Sequence, residues 1–199
     1  WYEEVRKNLN IKKSDRLSQV IIDLSELYQR RNLLVHTDGI VSNQYLQNVK
    51  NSSLSLGDMI DVDSIYLDRQ INNLEFLGWF VYDGFLNRSL KDINEAFSEL
   101  NNKILTRINH SCDAIPELLT MYCSKNFSEP SINLIAKVNY FLYYKFNGGL
   151  DSFDQELSDF KVGHLNDEFI LAKKILSSAD DVIDSIEKFI NSLDPDNFF

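Results

Sequence analysis

The segment YQRRNLLVHTDGIVSNQYL, residues 28–46, decides how this chain of 199 residues folds. It completes an amphipathic pattern whose apolar positions are 17, 20, 21, 24, 27, 28, 34 and 35. This three-and-four spacing places apolar side chains on one face of a helix. Ser14 suits the start of that helix, and Thr37-Asp38-Gly39 suits its end because glycine tolerates a positive φ. The pattern therefore predicts a long helix that ends near His36.

Arg31 interrupts the apolar stripe of this predicted helix. A charged side chain is rarely buried without a partner. In one interpretation, Arg31 reaches out from the helix edge or pairs with a carboxylate such as Glu26 or Asp38. In the other, Arg31 serves a site together with His36, which lies about 140° around the helix, and Asn32, which shares a face with His36. The site would then offer a guanidinium for phosphate, a titratable imidazole and an amide.

The chemistry of RNA cleavage explains why such a site would lie on an apolar face. Attack by the 2′-OH needs a base for the hydroxyl proton and an acid for the leaving 5′ oxygen. One chain supplies one such imidazole, His36. Two copies packed about a two-fold axis would bring two arginines and two histidines to a shared groove. We therefore expect a homodimer whose interface carries Arg31, with RNA as the substrate.

Composition limits the class of protein. Only 7 Gly and 3 Pro favour long helices. No apolar run approaches the roughly 20 residues that span a bilayer, so we expect no membrane segment. Two cysteines, Cys112 and Cys123, are too few for a disulfide framework and indicate the cytoplasm; they form either a bridge between two helices or, as we prefer, buried thiols. The chain begins at Trp1 without Met, so we expect it to be part of a longer protein.

The net charge of −10 is unevenly distributed along the chain. Residues 1–50 hold 8 Lys and Arg against 6 Asp and Glu, whereas residues 51–199 hold 12 against 24. Such an acidic balance argues against a protein that coats nucleic acid without specificity. The candidate site lies in the part of the chain that is not acidic.

The segments predict an all-α fold in two parts, a helical bundle over residues 1–110 and a smaller helical subdomain over 111–199. Long helices are expected from Ser14 to His36, from a cap at Ser64 or Asp63 to about Leu86, and from a start at Ser89 and Asp92 to about Ile108. Shorter ones are expected over 114–124, 131–146, 152–161, 166–178 and 181–193. The C-terminal stretch FILAKKILSSADDVIDSIEKF weakly resembles tetratricopeptide-like repeats, without a full repeat period.

The motif RRNLLVH resembles the R-x4-6-H motif of the HEPN superfamily, with Arg31, Asn32 and His36 in the motif positions. The continuation HTDGIVSNQYL, then LGDMIDV and a long amphipathic helix, is similar to bacterial, defence-linked members. The resemblance covers roughly residues 14–108. It implies an up-down helical bundle that dimerises and cuts RNA without metal or cofactor, leaving 2′,3′-cyclic phosphate ends.

By the same resemblance, Arg31 would bind the scissile phosphate, His36 would be the acid and base, and Asn32 would orient His36 or bind phosphate. Several members act as toxins or abortive-infection effectors against phage. The alternative is a non-catalytic dimerisation and interaction module of a larger protein. In either case the C-terminal helices are expected to bind a protein partner or antitoxin. Nucleotidyl transfer is a further open alternative, because the HEPN fold often accompanies such enzymes.

Other candidate sites have simpler explanations. Asp58, Asp61 and Asp63 lack the glycine and terminal glutamate of a calcium loop, and helix capping explains Asp63. His110 with the two cysteines fits no familiar zinc spacing. Arg107 and His110 are predicted to be a solvated surface. We therefore expect no metal site.

Overall fold

In a computed structural model, residues 2–50, 52–125, 127, 129–161 and 167–192 are described, and helices dominate this part of the chain. It contains no named strand, only one isolated bridge between Ile40 and Met59. The all-α prediction is confirmed. The helices are α1 (Tyr2–Asn8), α2 (Asp15–His36), α3 (Asn43–Asn48), α4 (Ser64–Ser89), α5 (Ile93–Leu105), α6 (Ala114–Cys123), α7 (Pro130–Asn147), a 3-10 turn (Leu150–Phe153), α8 (Asp154–Asp159), α9 (Asp167–Leu176) and α10 (Val182–Ser192).

The two longest helices begin where the sequence predicts. The Ser14 hydroxyl accepts a hydrogen bond from the backbone N–H of Leu17 at 3.1 Å and caps α2. The Asp63 carboxylate accepts from the N–H of Tyr66 at 2.7 Å and caps α4. These side chains satisfy N–H groups that have no partner inside the helix.

The C-terminal helices differ from the prediction at one point. The helix expected over 152–161 is a 3-10 turn followed by the short α8. Gly148 and Gly149, with φ of 82° and 93°, end α7 and redirect the chain. The predicted first residue of α9, Asn166, and the predicted last residue of α10, 193, lie outside the described residues.

The chain divides into two compact units, Trp1–Lys91 and Asp92–Phe199. This boundary precedes the one expected at residue 110, and α5 belongs to the second unit. The reason lies in the packing of α5: its buried Phe97 contacts the ring of Tyr122 in α6, with ring centroids 5.0 Å apart. An aromatic contact between two helices cannot be predicted from the apolar periodicity of α5 alone.

In the first unit, α2 and α4 run antiparallel. Arg16 near the start of α2 donates to Asn73 at 3.4 Å, whereas Glu26, further along α2, accepts from Tyr66 near the start of α4 at 2.6 Å. The side chains between the two helices are therefore polar as well as apolar.

The chain after His36 folds back onto the end of α2. We call residues 37–62 the capping segment; it is described apart from residue 51. A buried cluster joins Leu33 of α2 to Val41, Tyr45 and Ile60 of this segment. The backbone N–H of Val41 also donates to Asp58 O at 2.8 Å. The capping segment is thus tied both to itself and to α2.

In the second unit, α7 packs against α5, α6 and α9. A buried cluster of Val138, Phe141, Leu157 and Leu176 joins α7, α8 and α9. The arrangement contains helix pairs, but their likeness to tetratricopeptide repeats stays a prediction. Among the described helices, none combines the length and apolar character needed to cross a bilayer.

Candidate functional site

The candidate motif occupies the last two turns of α2. The helix ends because Thr37 leaves helical geometry and Asp38 and Gly39 have φ of 50° and 82°. The N–H groups of Thr37 and Gly39 both donate to Leu33 O, at 2.8 and 3.0 Å. These bonds satisfy a carbonyl that the helix end would otherwise leave open. The turn signal read from the sequence therefore sets where His36 lies.

Arg31 is exposed on the surface of the first unit. Its guanidinium lies 3.3 Å from the side-chain oxygen of the neighbouring Asn32. Within the described residues it forms no ion pair, so neither Glu26 nor Asp38 neutralises it. The charge of Arg31 is therefore available to an anionic ligand.

His36 is the last residue of α2, and it is also exposed. No hydrogen bond to its imidazole occurs in the part of the chain that the structure describes. Asn32, one turn earlier, is half-buried. The single chain therefore presents both the guanidinium and the imidazole to solvent, and no carboxylate among the described residues orients the imidazole.

Arg31 and His36 do not both line the groove that the described residues form beside Arg31. Arg31 lines a groove of about 1040 Å³, together with residues such as Tyr28 of α2 and Leu74 of α4, whereas His36 is not among the lining residues. Their separation of about 140° around the helix accounts for this. In this groove, one chain offers the guanidinium of Arg31 without the imidazole of His36.

The groove beside Arg31 is mainly apolar. Tyr28, which lines this groove, is 60% exposed, and Val35, which does not line it, is 56% exposed. Both belong to the stripe that was predicted to be buried. The prediction of burial holds for the start of the stripe, at Leu17 and Val20. Its later members are open because, past about residue 28, the capping segment covers the Leu33 side of α2 instead.

The adjacent Arg30 has a different environment from Arg31. Its Nε donates to the Glu26 carboxylate, and its Nη1 donates to Asp61 O. Its guanidinium also lies over the ring of Tyr66, 4.5 Å from the centroid. The side chains of Arg30 and Glu26 are 19% and 18% exposed. Arg30 is therefore engaged inside the fold, and the arginine that pairs with Glu26 is Arg30 rather than Arg31.

Glu26 is the centre of a polar junction that we did not predict. Besides Arg30, it accepts hydrogen bonds from the hydroxyls of Tyr45 at 2.8 Å and Tyr66 at 2.6 Å. Burial disfavours the charged carboxylate, but the hydrogen bonds from Arg30, Tyr66 and Tyr45 outweigh it and hold the pKa of Glu26 below its usual value. The spacing of Glu26 and Arg30, four residues apart on one helix, was the available signal.

The same junction changes both tyrosines. Burial, and then the hydrogen bond to the Glu26 carboxylate, raise the pKa of the Tyr66 hydroxyl. Burial and Glu26 raise the pKa of Tyr45 in the same way. Both hydroxyls therefore stay protonated and act as donors to Glu26 at neutral pH.

Among the remaining candidates, Asp58 and Asp63 have structural roles. Asp58 accepts from the N–H of Ser55 at 2.7 Å, and Asp63 caps α4. Cys112 and Cys123 are not joined by a disulfide. Among the described residues, no group of three or more His, Cys, Asp or Glu is placed to hold a metal ion.

Comparison with known proteins adds no relative. Protein-family models, curated proteins and solved structures were compared with this chain, and none matches. The resemblance to the HEPN superfamily therefore stays a prediction that depends on Arg31, Asn32 and His36.

Proposed function

We propose that this chain is a metal-independent endoribonuclease that works as a homodimer. The observation that carries the proposal is the contrast between two adjacent arginines. Arg30 is engaged by Glu26, whereas Arg31 is exposed at an apolar groove and has no carboxylate partner in the described chain. A guanidinium left without a counter-charge beside an apolar surface suits a phosphate held at an interface.

The second copy supplies what one chain lacks. In a dimer formed through the groove, His36 of each copy approaches a shared cleft, and one imidazole takes the 2′-OH proton while the other protonates the 5′ oxygen. The 2′ oxygen forms a bond to phosphorus as the bond to the 5′ oxygen breaks, which leaves a 2′,3′-cyclic phosphate. Arg31 stabilises the charge on the phosphate, and Asn32 orients His36 or binds phosphate.

The biological setting that we infer is antiphage defence or a toxin system in the cytoplasm. This setting follows from the resemblance of the motif, which is typical of toxins and abortive-infection effectors. The C-terminal helices would bind a protein partner or antitoxin. Ile183 and Ile190 of α10, which are 67% and 58% exposed, support such a contact.

The alternative is a non-catalytic interaction module of a larger protein. The exposed apolar residues of α2 and α4 support it as well, since they suit a protein partner. An interaction module would be expected to bury Arg31 against a carboxylate. The exposure of Arg31 therefore favours the nuclease.

The experiment is cleavage of a mixed RNA pool by the purified 199-residue protein in EDTA. Wild type is compared with Arg31→Ala and His36→Ala, and with Arg107→Ala and His110→Ala as matched controls, since both control residues are exposed in the second unit. We expect cleavage with cyclic phosphate ends in wild type and in both controls. Loss of cleavage is expected in the two motif variants.

Either of two results would contradict the nuclease. The first is cleavage that persists in His36→Ala, which would indicate a contaminating enzyme or another site. The second is a folded, dimeric wild type that leaves the RNA intact, which would favour the interaction module.

A further inference from the structure

Glu26 joins three elements of the first unit at one carboxylate. One oxygen accepts from Arg30 of α2 and from the Tyr45 hydroxyl of α3, and the other accepts from the Tyr66 hydroxyl of α4. Tyr45 and Tyr66 are 2% and 7% exposed, so both rings are held by packing. The carboxylate thus has rigid donors on three sides and is itself constrained.

The junction ties the capping segment to α2 at two points, Tyr45 and Asp61. Tyr45 belongs to the buried cluster that includes Leu33, one residue after Asn32. Arg30 reaches Asp61 O near the far end of the segment. His36 lies just before the capping segment, at the point where α2 ends. The contacts of Glu26, ten residues before His36, therefore reach the segment that follows His36, directly through Tyr45 and by way of Arg30.

We infer that Glu26 is a positioning residue for the Arg31–His36 motif, acting through Arg30, Tyr45 and Tyr66. It neither touches the motif side chains nor lines the apolar groove beside Arg31. It sets the orientation of the last two turns of α2 and of the capping segment. The catalytic part of this inference rests on the proposed ribonuclease function, whereas the ordering of the segment does not.

Glu26 can position these elements because several hydrogen-bond donors converge on its carboxylate. A glutamine at position 26 keeps one acceptor oxygen and turns the other into a donor, so a tyrosine hydroxyl loses its acceptor. Arg30 also keeps its charge without the counter-charge that it has now. The capping segment then keeps its packing on Leu33 but loses part of its hydrogen-bonded link to α2. Reaction rates are sensitive to small displacements of the reacting groups. RNA cleavage should therefore fall in Glu26→Gln although Arg31, Asn32 and His36 are all still present.

The test uses Glu26→Gln in the full chain, with Asp23→Asn as the matched control. Asp23 lies one turn earlier on α2 and accepts from Asn73 of α4 at 3.2 Å and from Gln19 of α2, and neither partner belongs to the capping segment. Tyr66→Phe is a second variant, which keeps the ring and removes one donor. Two quantities are measured: backbone amide exchange by NMR, and the kcat and KM of RNA cleavage.

Amide exchange reports on the segment directly. The N–H groups of Gly39, Val41 and Ile60 hold the capping segment to α2 and to itself. In Glu26→Gln we expect these amides to exchange at least about tenfold faster, while amides at the start of α2 keep their wild-type rates. Tyr66→Phe should show a smaller change in the same amides, and Asp23→Asn none.

Kinetics report on the motif. We expect kcat to fall by about tenfold to 100-fold in Glu26→Gln, with KM little changed, because bound RNA is then held in a poor geometry for reaction. The inference is overturned if Glu26→Gln leaves the three amides at wild-type rates, or if exchange accelerates equally throughout α2. If wild type does not cleave RNA, the nuclease proposal fails, and the exchange pattern still decides whether Glu26 orders the segment.

Discussion

At the scale of single residues, two neighbouring arginines have opposite environments. Successive residues of a helix point about 100° apart. Arg30 therefore faces Glu26 and Tyr66, while Arg31 faces the open groove. The two side chains have the same chemistry and differ only in direction. Arg30 therefore stabilises the fold, whereas Arg31 is available to a ligand.

This difference predicts that alanine substitution destabilises the protein much more at Arg30 than at Arg31. Arg30→Ala removes donors to Glu26 and Asp61 O, so the free energy of unfolding should fall by about 2–3 kcal/mol. Arg31→Ala should change it by less than about 0.5 kcal/mol, because exposed side chains contribute little. Urea denaturation followed by circular dichroism measures both. Equal losses in the two variants would show that the environments are not distinct.

The lowered pKa of Glu26 predicts a dependence of stability on pH. A carboxyl whose pKa is lower in the folded than in the unfolded state contributes stability above its unfolded pKa, and the contribution is lost as pH falls through the folded pKa. The ordinary value is 4.5, so the loss from Glu26 begins near that pH and continues below it.

Glu26→Gln should remove this contribution. Thermal midpoints of wild type and variant should differ most at about pH 6 and converge toward about pH 3, since protonation then neutralises the wild-type carboxyl as well. Circular dichroism melts across this range give the difference. A gap that stays constant with pH would show that Glu26 does not titrate differently in the folded state.

At the scale of elements, α4 approaches the connection between α1 and α2 at a glycine. A Cβ built on Gly84 would lie 2.9 Å from Leu9 Cβ and 2.9 Å from Ile11 Cγ1. It would also lie 3.1 Å from Leu9 O, which is backbone and cannot turn aside. Glycine at this position therefore permits a close contact inside the first unit.

Gly84→Ala should destabilise the protein by about 1–3 kcal/mol, because the added methyl forces the connection away from α4. Gly78→Ala is the matched control on the same helix, since a Cβ there meets nothing within 4 Å. It should stabilise by up to about 1 kcal/mol through helix propensity. Chemical denaturation measures both, and a stabilising Gly84→Ala would contradict the close contact.

At the scale of the whole molecule, the proposed dimer depends on the apolar surface beside Arg31. Tyr28→Glu places a charge in the groove, so the protein should become monomeric and RNA cleavage should fall at least about tenfold. Ile183→Glu is the control, because Ile183 is also an exposed large hydrophobic residue, at 67% against 60% for Tyr28, but belongs to the second unit. Sedimentation equilibrium gives the mass, and a Tyr28→Glu protein that is still dimeric would place the interface elsewhere.

Much of the secondary structure could be predicted because it depends on interactions between residues that are close in the sequence. Ser14 and Asp63 cap helices through the N–H three residues ahead, and Thr37-Asp38-Gly39 ends α2 through bonds to Leu33. Apolar periodicity is likewise a property of consecutive residues. The sequence alone was therefore sufficient for the all-α class, the long helices and the place of His36 at a helix end.

The surroundings of the candidate site depend on contacts between residues far apart in the sequence, which the apolar periodicity does not predict. Tyr45 and Tyr66 reach Glu26 from 19 and 40 residues away, and Phe97 assigns α5 to the second unit through Tyr122. Which of Arg30 and Arg31 is engaged follows from where those partners lie. Hydrogen bonds between residues close in sequence can be predicted from the sequence. The environment of a side chain, by contrast, is set only when distant segments pack together. In this protein that packing leaves Arg31 exposed.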